Sequence, residues 1–150
     1  MAVGPRTKTG GFPLDAIVKL RADHKAVEKL FKRFEKDDLG VVPEICAALS
    51  LHAAIEEEVF YPAVRSEVDG ELDDVLEAVE EHRLVKGLVS ELDGMSGDEE
   101  TYRAKATVLM ELVRHHVEEE ETEMFPRVRA VLGRRRLQEI GADLAAAAGA

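Results

Sequence analysis

Apolar residues recur at intervals of three and four along most of the chain, which is the periodicity of amphipathic helices. Four such stripes run from Ile17 to Phe34, from Ile45 to Ala63, from Leu72 to Leu92 and from Ala106 to Val131. No stretch alternates between apolar and polar residues with period two, and the β-branched residues fall on the helical stripes. The pattern therefore predicts four helices and no strands.

Turn-forming and capping residues mark the ends of these helices. Asp37–Gly40 and Asp69–Gly70 separate the first three stripes, and Gly133 ends the fourth. Ser96 and Glu99 have the spacing of a capping box, which predicts that the fourth helix starts there. Because helices joined by short turns pack as antiparallel neighbours, the sequence predicts an all-α fold, an up-down-up-down antiparallel four-helix bundle.

The chain of 150 residues has the length of one domain. Residues 1–12 are rich in Gly, Pro and Thr and lack apolar periodicity, so we expect a flexible N-terminal segment. The bundle is expected to span residues 13–132. Residues 133–150 are Ala-rich and weakly amphipathic, and they predict a short C-terminal fifth helix.

The composition and net charge indicate which classes of partner the protein is expected not to bind. The chain has 45% hydrophobic and 34% charged residues, which is typical of a soluble globular protein. A net charge of −11 should repel phosphate backbones and anionic lipids, so we expect no nucleic-acid or membrane partner. Cys46 is the single cysteine and cannot form an internal disulfide. With no secretory apolar segment at the start, a cytoplasmic location is expected.

Four of the five histidines occupy positions where a bundle normally places aliphatic residues. Each predicted helix carries one of them: His24, His52, His82 and His116. Glu56 and Glu120 follow the second and the fourth by four residues, which puts each pair on one helix face. At a rise of about 1.5 Å per residue the histidines lie at similar heights along the bundle. These side chains can therefore converge on one layer.

An internal repeat relates the two halves of the chain. Residues 23–30 match residues 81–88 in an acid-His-base-x-Val-x-x-Leu pattern. The second and fourth helices share one spacing, in the sets His52, Glu56, Tyr61, Pro62 and His116, Glu120, Phe125, Pro126. Two copies of one helix pair would be related by a pseudo-two-fold axis, with two histidines and one glutamate each. That is the symmetry of a dinuclear metal site.

Burying this layer without partners would be costly. Each imidazole or carboxylate would cost roughly 2 kcal/mol or more, against a total stability of about 5 to 15 kcal/mol. Metal ions satisfy the layer most simply, because neutral imidazole and carboxylate both become ligands. A salt-bridged His–Glu network without metal is the alternative. Mixed nitrogen and oxygen ligation with open positions suits non-haem iron, and manganese or zinc could also occupy it.

At these positions the chain resembles the hemerythrin family, specifically the HHE cation-binding domain with its pattern H…HxxxE…H…HxxxE. The resemblance covers residues 13 to about 132. It implies a carboxylate-bridged centre of two non-haem iron ions, oxo- or hydroxo-bridged. The implied terminal ligands are His24, His52, His82 and His116, and the implied bridges are Glu56 and Glu120. Ferritin-like di-iron bundles differ, because they carry Glu-x-x-His pairs, and a ferroxidase is therefore disfavoured.

Side chains next to this set are expected to have lesser roles. Tyr61 follows Glu56 by five residues, and with a local kink at Pro62 its hydroxyl could approach the metals as an extra ligand or an outer partner; packing between helices is the simpler role. His115 lies about 100° round the helix from His116, so we expect it at the surface or against an adjacent helix. Of the acidic run at residues 118–123, only Glu120 is expected to face inward.

Three classes of function stay open. The resemblance to oxygen-carrying hemerythrins is incomplete, because Lys86 stands four residues after His82, where those proteins have a further histidine. The chain therefore resembles the bacterial branch with fewer histidines, and catalase-like turnover of hydrogen peroxide by a di-iron oxidoreductase is favoured. The alternatives are reversible binding or sensing of O2 or NO, and iron-homeostasis sensing without catalysis. A sensor would need a partner protein.

Overall fold

The computed structural model describes residues 14–149, and this part of the chain contains helices and no strand. The helices are α1 (Ala16–Glu35), α2 (Val42–Ile55), α3 (Tyr61–Glu67), α4 (Leu72–Asp93), α5 (Tyr102–Glu119) and α6 (Phe125–Ala147). A 3-10 turn at Leu39–Val41 precedes α2. Two π-helical turns, π1 (Glu56–Phe60) and π2 (Glu120–Met124), join α2 to α3 and α5 to α6. The predicted all-α bundle is confirmed, and residues 1–12 lie outside the described part.

Four rods form the bundle: α1, the continuous rod α2–π1–α3, α4, and the rod α5–π2–α6. The apolar stripe of α1 is buried, and the Asp15 carboxylate caps this helix by accepting the backbone N–H of Val18 at 2.9 Å. Gly133 has φ 74° and ψ 175°, so α6 changes direction there. Beyond this kink α6 packs against the start of α1, where a Cβ on Gly141 would lie 1.9 Å from the backbone oxygen of Leu14.

The predicted helix ends were wrong in two places. Although Ser96 and Glu99 were expected to cap the fourth helix, α5 begins only at Tyr102. The Glu99 carboxylate accepts the backbone N–H groups of Ser96 and Gly97 at 2.9 Å, so the pair closes a turn before the helix. The fourth apolar stripe was also predicted to extend too far, because Val131, its last residue, is 58% exposed.

The segment Leu39–Glu67 is long and apolar enough to cross a membrane by length and composition, with a mean hydropathy of 1.4 over its most apolar window. It lies instead along the bundle core, where Ile45, Leu49 and Ile55 are buried. Its apolar character is therefore accounted for by burial against the other helices, as in the core helix of a folded domain.

The histidine layer divides the core into two apolar clusters. The first cluster includes Ile17, Leu20 and Phe60, and the second includes Val27 and Phe31. Along each rod, the buried apolar residues on one side of the histidine belong to one cluster, and those on its other side belong to the other cluster. The polar layer thus has apolar side chains above and below it.

Candidate metal centre

The structure brings the six predicted ligand residues together in this layer. The relative exposures of the five most buried are His24 7%, Glu56 0%, His82 4%, His116 6% and Glu120 2%. The His52 side chain is 11% exposed. Six polar side chains therefore share one nearly dry site, and their polar atoms depend on one another or on a ligand.

The six side chains form two groups with ligand atoms within 4.8 Å of one another, which we call the first and second halves. The first half is His24, His52, Glu56 and Glu120, and the second is Glu56, His82 and His116. Glu56 belongs to both, because its Oε1 lies 3.2 Å from His52 Nε2 and 3.1 Å from His82 Nε2.

Glu120 also spans the two halves. Its Oε1 lies 3.2 Å from His24 Nε2, and its Oε2 lies 3.4 Å from His116 Nε2. One carboxylate from each repeat therefore has an imidazole of each half within reach. That is the arrangement of two bridging carboxylates between two metal positions.

The polar atoms of the first half do not satisfy one another. Four of them are buried without a hydrogen-bond partner among the described residues: His24 Nε2, His52 Nε2, Glu56 Oε2 and Glu120 Oε1. Each residue of the first half thus contributes one unpaired atom, and these atoms approach one another without hydrogen-bond alignment. Nitrogen and oxygen atoms that converge in this way fit a cation bound among them.

The π1 turn decides where Tyr61 points. In an α-helix a side chain five positions after Glu56 would face about 140° away from it. In π1 the Tyr61 N–H instead donates to the Glu56 carbonyl, an i→i+5 hydrogen bond that brings both residues to one face. The expected kink at Pro62 is therefore a π turn, and π2 repeats it before Phe125.

The Tyr61 hydroxyl lies at the second half of the layer. It is 3.3 Å from His82 Nε2 and 3.2 Å from His116 Nε2, and it donates to Glu120. Phe125 takes the equivalent place at the first half, where its ring stacks on His24 with centroids 5.9 Å apart. The repeat predicts two equivalent halves, whereas one hydroxyl makes the second half different from the first.

Four further carboxylates, which the sequence reasoning missed, hold the histidines from outside. Each contacts the Nδ1 atom of one histidine: Asp23 with His52 at 3.1 Å, Glu57 with His82 at 2.7 Å, Glu81 with His116 at 2.6 Å, and Glu121 with His24 at 2.7 Å. In metal sites a ligand histidine typically donates its other N–H to such a carboxylate, which orients the ring. Every Nε2 is thereby aimed at the centre.

The signal for these carboxylates was present in the sequence. Asp23 and Glu81 each precede a histidine, and Glu57 and Glu121 each follow a glutamate of the centre. A neighbouring residue lies about 100° round the helix, so its side chain reaches the histidine of the next rod. The expectation that Glu121 faces solvent was wrong for this reason.

Lys86 and His115 lie outside the layer. Lys86 is half-exposed, and its Nζ donates to Glu57 Oε1 at 2.7 Å, so it supports the carboxylate that holds His82. The His115 side chain is 67% exposed, as expected, and its Nε2 contacts Glu119 Oε1.

Negatively charged carboxylates stabilise the protonated forms of His52 and His116 when no metal is bound. Burial alone would lower the pKa of His52, but the charge of Glu56 and the hydrogen bond with Asp23 outweigh it and raise this pKa to about 10. The charge of Glu120 likewise outweighs burial and raises the pKa of His116 to about 12. The same pairing holds the pKa of Glu56 well below its ordinary value despite burial.

We therefore expect metal binding to release about two protons per chain at neutral pH, because a ligand imidazole must be neutral. Since both pKa values are raised, metal affinity should increase as the pH rises from 6 towards 9. Calorimetric titration of the metal-free protein with Zn2+, in buffers of different ionisation enthalpy, measures the proton count. An affinity independent of pH would contradict the protonated state of His52 and His116.

A small cavity adjoins the histidine layer on the side of the second cluster. Its volume is about 30 Å³, and its lining includes all four histidines with Val27, Leu49, Val85 and Val113. This volume is about that of one water molecule in the liquid. Tyr61 belongs to the first cluster, so it contacts the layer from the other side.

An antiparallel helical bundle with a buried layer of four histidines and two shared glutamates is a metal-binding helical protein. The chain belongs to the hemerythrin family, since the family model of the hemerythrin HHE cation binding domain matches residues 15–128. It resembles a crystal structure of a hemerythrin HHE cation binding domain-containing protein from Mycobacterium kansasii, with a TM-score of 0.76 and 23% identity over 91% of this chain and 86% of that chain.

A similar protein is a DNA nickase from Nostoc sp. It is 29% identical over 153 residues, which cover 97% of this chain and 43% of that protein. The chain therefore spans less than half the length of this relative.

Proposed function

We propose that the chain holds two non-haem iron ions and turns over hydrogen peroxide. The layer of four histidines and two shared glutamates beside the 30 Å³ cavity carries this proposal. When bound, the iron pair would supply the electron exchange by which one peroxide is oxidised to dioxygen and a second is reduced to water. Iron suits this mixed nitrogen and oxygen ligand set.

The size and lining of the cavity support a small ligand. The cavity is about 30 Å³ and largely apolar apart from the four imidazoles. Peroxide, dioxygen and nitric oxide have dimensions that suit this cavity. The apolar walls also limit water at the reacting side of the layer.

The Tyr61 hydroxyl contacts the Nε2 atoms of both histidines of the second half. We assign it as a ligand or hydrogen-bond donor there, beside His82 and His116. Burial and the charges of Glu56 and Glu120 raise the pKa of Tyr61 well above its ordinary value, so without metal the hydroxyl keeps its proton. A bound ferric ion would oppose this, because a cation at the same place favours the phenolate.

Lys86 supports peroxide turnover over oxygen carriage. A carrier of the hemerythrin kind needs a further imidazole at this place, and Lys86 instead pairs with Glu57 outside the layer. The coordination set therefore differs from that of a carrier, and fewer histidines leave more positions for solvent or peroxide.

The test is oxygen evolution from hydrogen peroxide by the iron-loaded protein. We expect catalytic evolution, and a loss of about 10²-fold or more in Glu120→Ala, because that variant lacks a shared ligand of both halves. Tyr61→Phe copies Phe125 and keeps the ring, so it isolates the hydroxyl. We expect it to lose the visible absorption of a phenolate on ferric iron.

The alternative reading predicts a different result. If the anaerobically reduced protein takes up dioxygen, releases it under vacuum and does not consume peroxide, the protein is a carrier or a sensor. Glu58→Ala is a suitable control, because Glu58 is exposed within π1 and makes no contact with the layer. It should match the parent in both assays.

DNA nicking, the activity of the Nostoc relative, is not proposed for this chain. The net charge of −11 opposes binding of a polyanion, and the relative has further sequence that this chain does not match.

A further inference from the structure

An acidic cavity of about 260 Å³ lies between α4 and the α5–π2–α6 rod. Its carboxylates are Asp74, Glu77, Glu81, Glu119, Glu120 and Glu123. The lining includes one cationic side chain, Arg127, which is already bound by Glu71 and Asp74. The cavity therefore has a strongly negative potential, which concentrates cations.

The inner end of this cavity is the metal layer itself. His116 and Glu120 both line it, and Glu120 is 98% buried with its Oε1 lacking a hydrogen-bond partner. The cavity thus connects the surface with two predicted ligands. A cation that enters it meets the imidazole of His116 and the carboxylate of Glu120, one oxygen of which is unpaired.

Two side chains that line the cavity, Glu81 and Glu119, form a group with the adjoining His115 that could hold a cation on the way. Glu81, His115 and Glu119 have ligand atoms within 4.8 Å of one another. His115 and Glu119 lie one turn apart on α5 and are in contact, and Glu81 Oε2 reaches from α4 to 3.9 Å from His115 Nε2. Two carboxylates and one imidazole are a donor set for a divalent first-row transition ion.

The internal repeat shows that this acidic opening is specific to one side of the bundle. At the two-fold related seam between α1 and α2, a cavity of about 130 Å³ is lined by Lys19, Leu51 and Ile55. These residues correspond to Glu77, His115 and Glu119 in the repeat. That seam keeps one carboxylate, Asp23, the counterpart of Glu81, but Asp23 is paired with Lys19. It therefore lacks both the excess of negative charge and the three-residue cluster.

We propose that Glu81, His115 and Glu119 form an entry site for a divalent transition cation, which passes through the acidic cavity to the buried centre. Glu81 joins the two places, because its Oε1 contacts His116 Nδ1 while its Oε2 faces His115. The proposal rests on metal binding by the centre but not on its reactivity with peroxide.

The test is the rate at which the metal-free full chain takes up Co2+, followed by visible absorption in a stopped-flow instrument. His115→Leu introduces the residue of the two-fold related seam, and Glu119→Gln removes one charge with little change in shape. We expect both to load at least roughly threefold more slowly than the parent, because the cavity loses a ligand or part of its field. With no more than two Co2+ ions added per chain, the final absorption should be unchanged, since the six central ligands remain and take up both ions. Added salt should slow the parent more than Glu119→Gln, which has lost one negative charge of the cavity.

Glu80→Gln is the matched control, since Glu80 is exposed on α4 and paired with Arg83 away from the cavity. Loading of both variants at the rate of this control overturns the proposal. So does equilibrium dialysis with saturating Zn2+ that finds the same ion count in the parent and in His115→Leu, because the parent should bind one ion more. A parent that takes up neither Co2+ nor Zn2+ would contradict the metal centre itself.

Discussion

Replacing Glu56 with alanine should abolish tight metal binding in both halves of the centre. Glu56 is fully buried and is the one residue found in both ligand groups. Its Oε1 is within 3.2 Å of an imidazole of each half, so its removal affects both halves. Metal analysis of protein expressed with ample iron should fall from about two ions per chain to near zero, since each half loses a shared ligand.

The same substitution should destabilise the metal-free protein. Glu56 balances the charge of protonated His52, and removal of one partner of a buried pair typically costs about 3–5 kcal/mol. The pKa of His52 should fall from its raised value for the same reason. Denaturant unfolding of the metal-free variant measures the loss of stability, and NMR titration of the imidazoles measures the pKa.

Two further variants keep this prediction testable. Glu56→Gln preserves the shape of the side chain and removes only its charge, so it should fold if the alanine variant does not. Glu58→Ala changes an exposed glutamate two positions away in π1 and should keep the parent's metal content and stability. A Glu56→Gln protein with two tightly bound ions would contradict the shared-ligand assignment.

Complete removal of metal should lower the melting temperature by roughly 10 °C. A ligand that binds only the folded state at about a thousandfold excess over its Kd contributes about 4 kcal/mol, and a domain of this size changes by about 2–4 °C per kcal/mol. The structural reason is the set of unpaired atoms in the first half, which includes His24 Nε2 and Glu120 Oε1. Without a cation these atoms stay buried and unsatisfied.

Calorimetric melting before and after chelation provides the measurement. The chelator itself is controlled with Glu56→Gln, which should melt at one temperature in both conditions because it holds no metal. An unchanged melting curve for the fully demetallated parent would mean that the histidines and glutamates satisfy one another as a salt-bridged network.

The four rods and the six converging side chains could be predicted from sequence because both depend on helical periodicity. A residue's position on a stripe determines whether it faces the core, and His24, His52, His82 and His116 occupy stripe positions. Their common height follows from the fixed rise per residue. The structure places these side chains in one buried layer, and their role as ligands remains a prediction for metal analysis to test.

Helical periodicity could not predict the direction of Tyr61 or the contacts between rods, and the tertiary structure determined both. Tyr61 reaches the layer only because π1 adds a residue to one turn, which shifts its direction relative to Glu56. Asp23, Glu57, Glu81 and Glu121 act across helix boundaries, so their partners depend on which rods are neighbours.

The acidic cavity shows the same limit of sequence reasoning. Its carboxylates come from α4, α5 and π2, and along the chain all of them except Glu120 look like parts of ordinary exposed helix faces. By itself the sequence determined which side chains of each helix face the core, because that is a local property of an amphipathic helix. How the rods pack determined which of those side chains contact one another, and packing is a property of the whole chain.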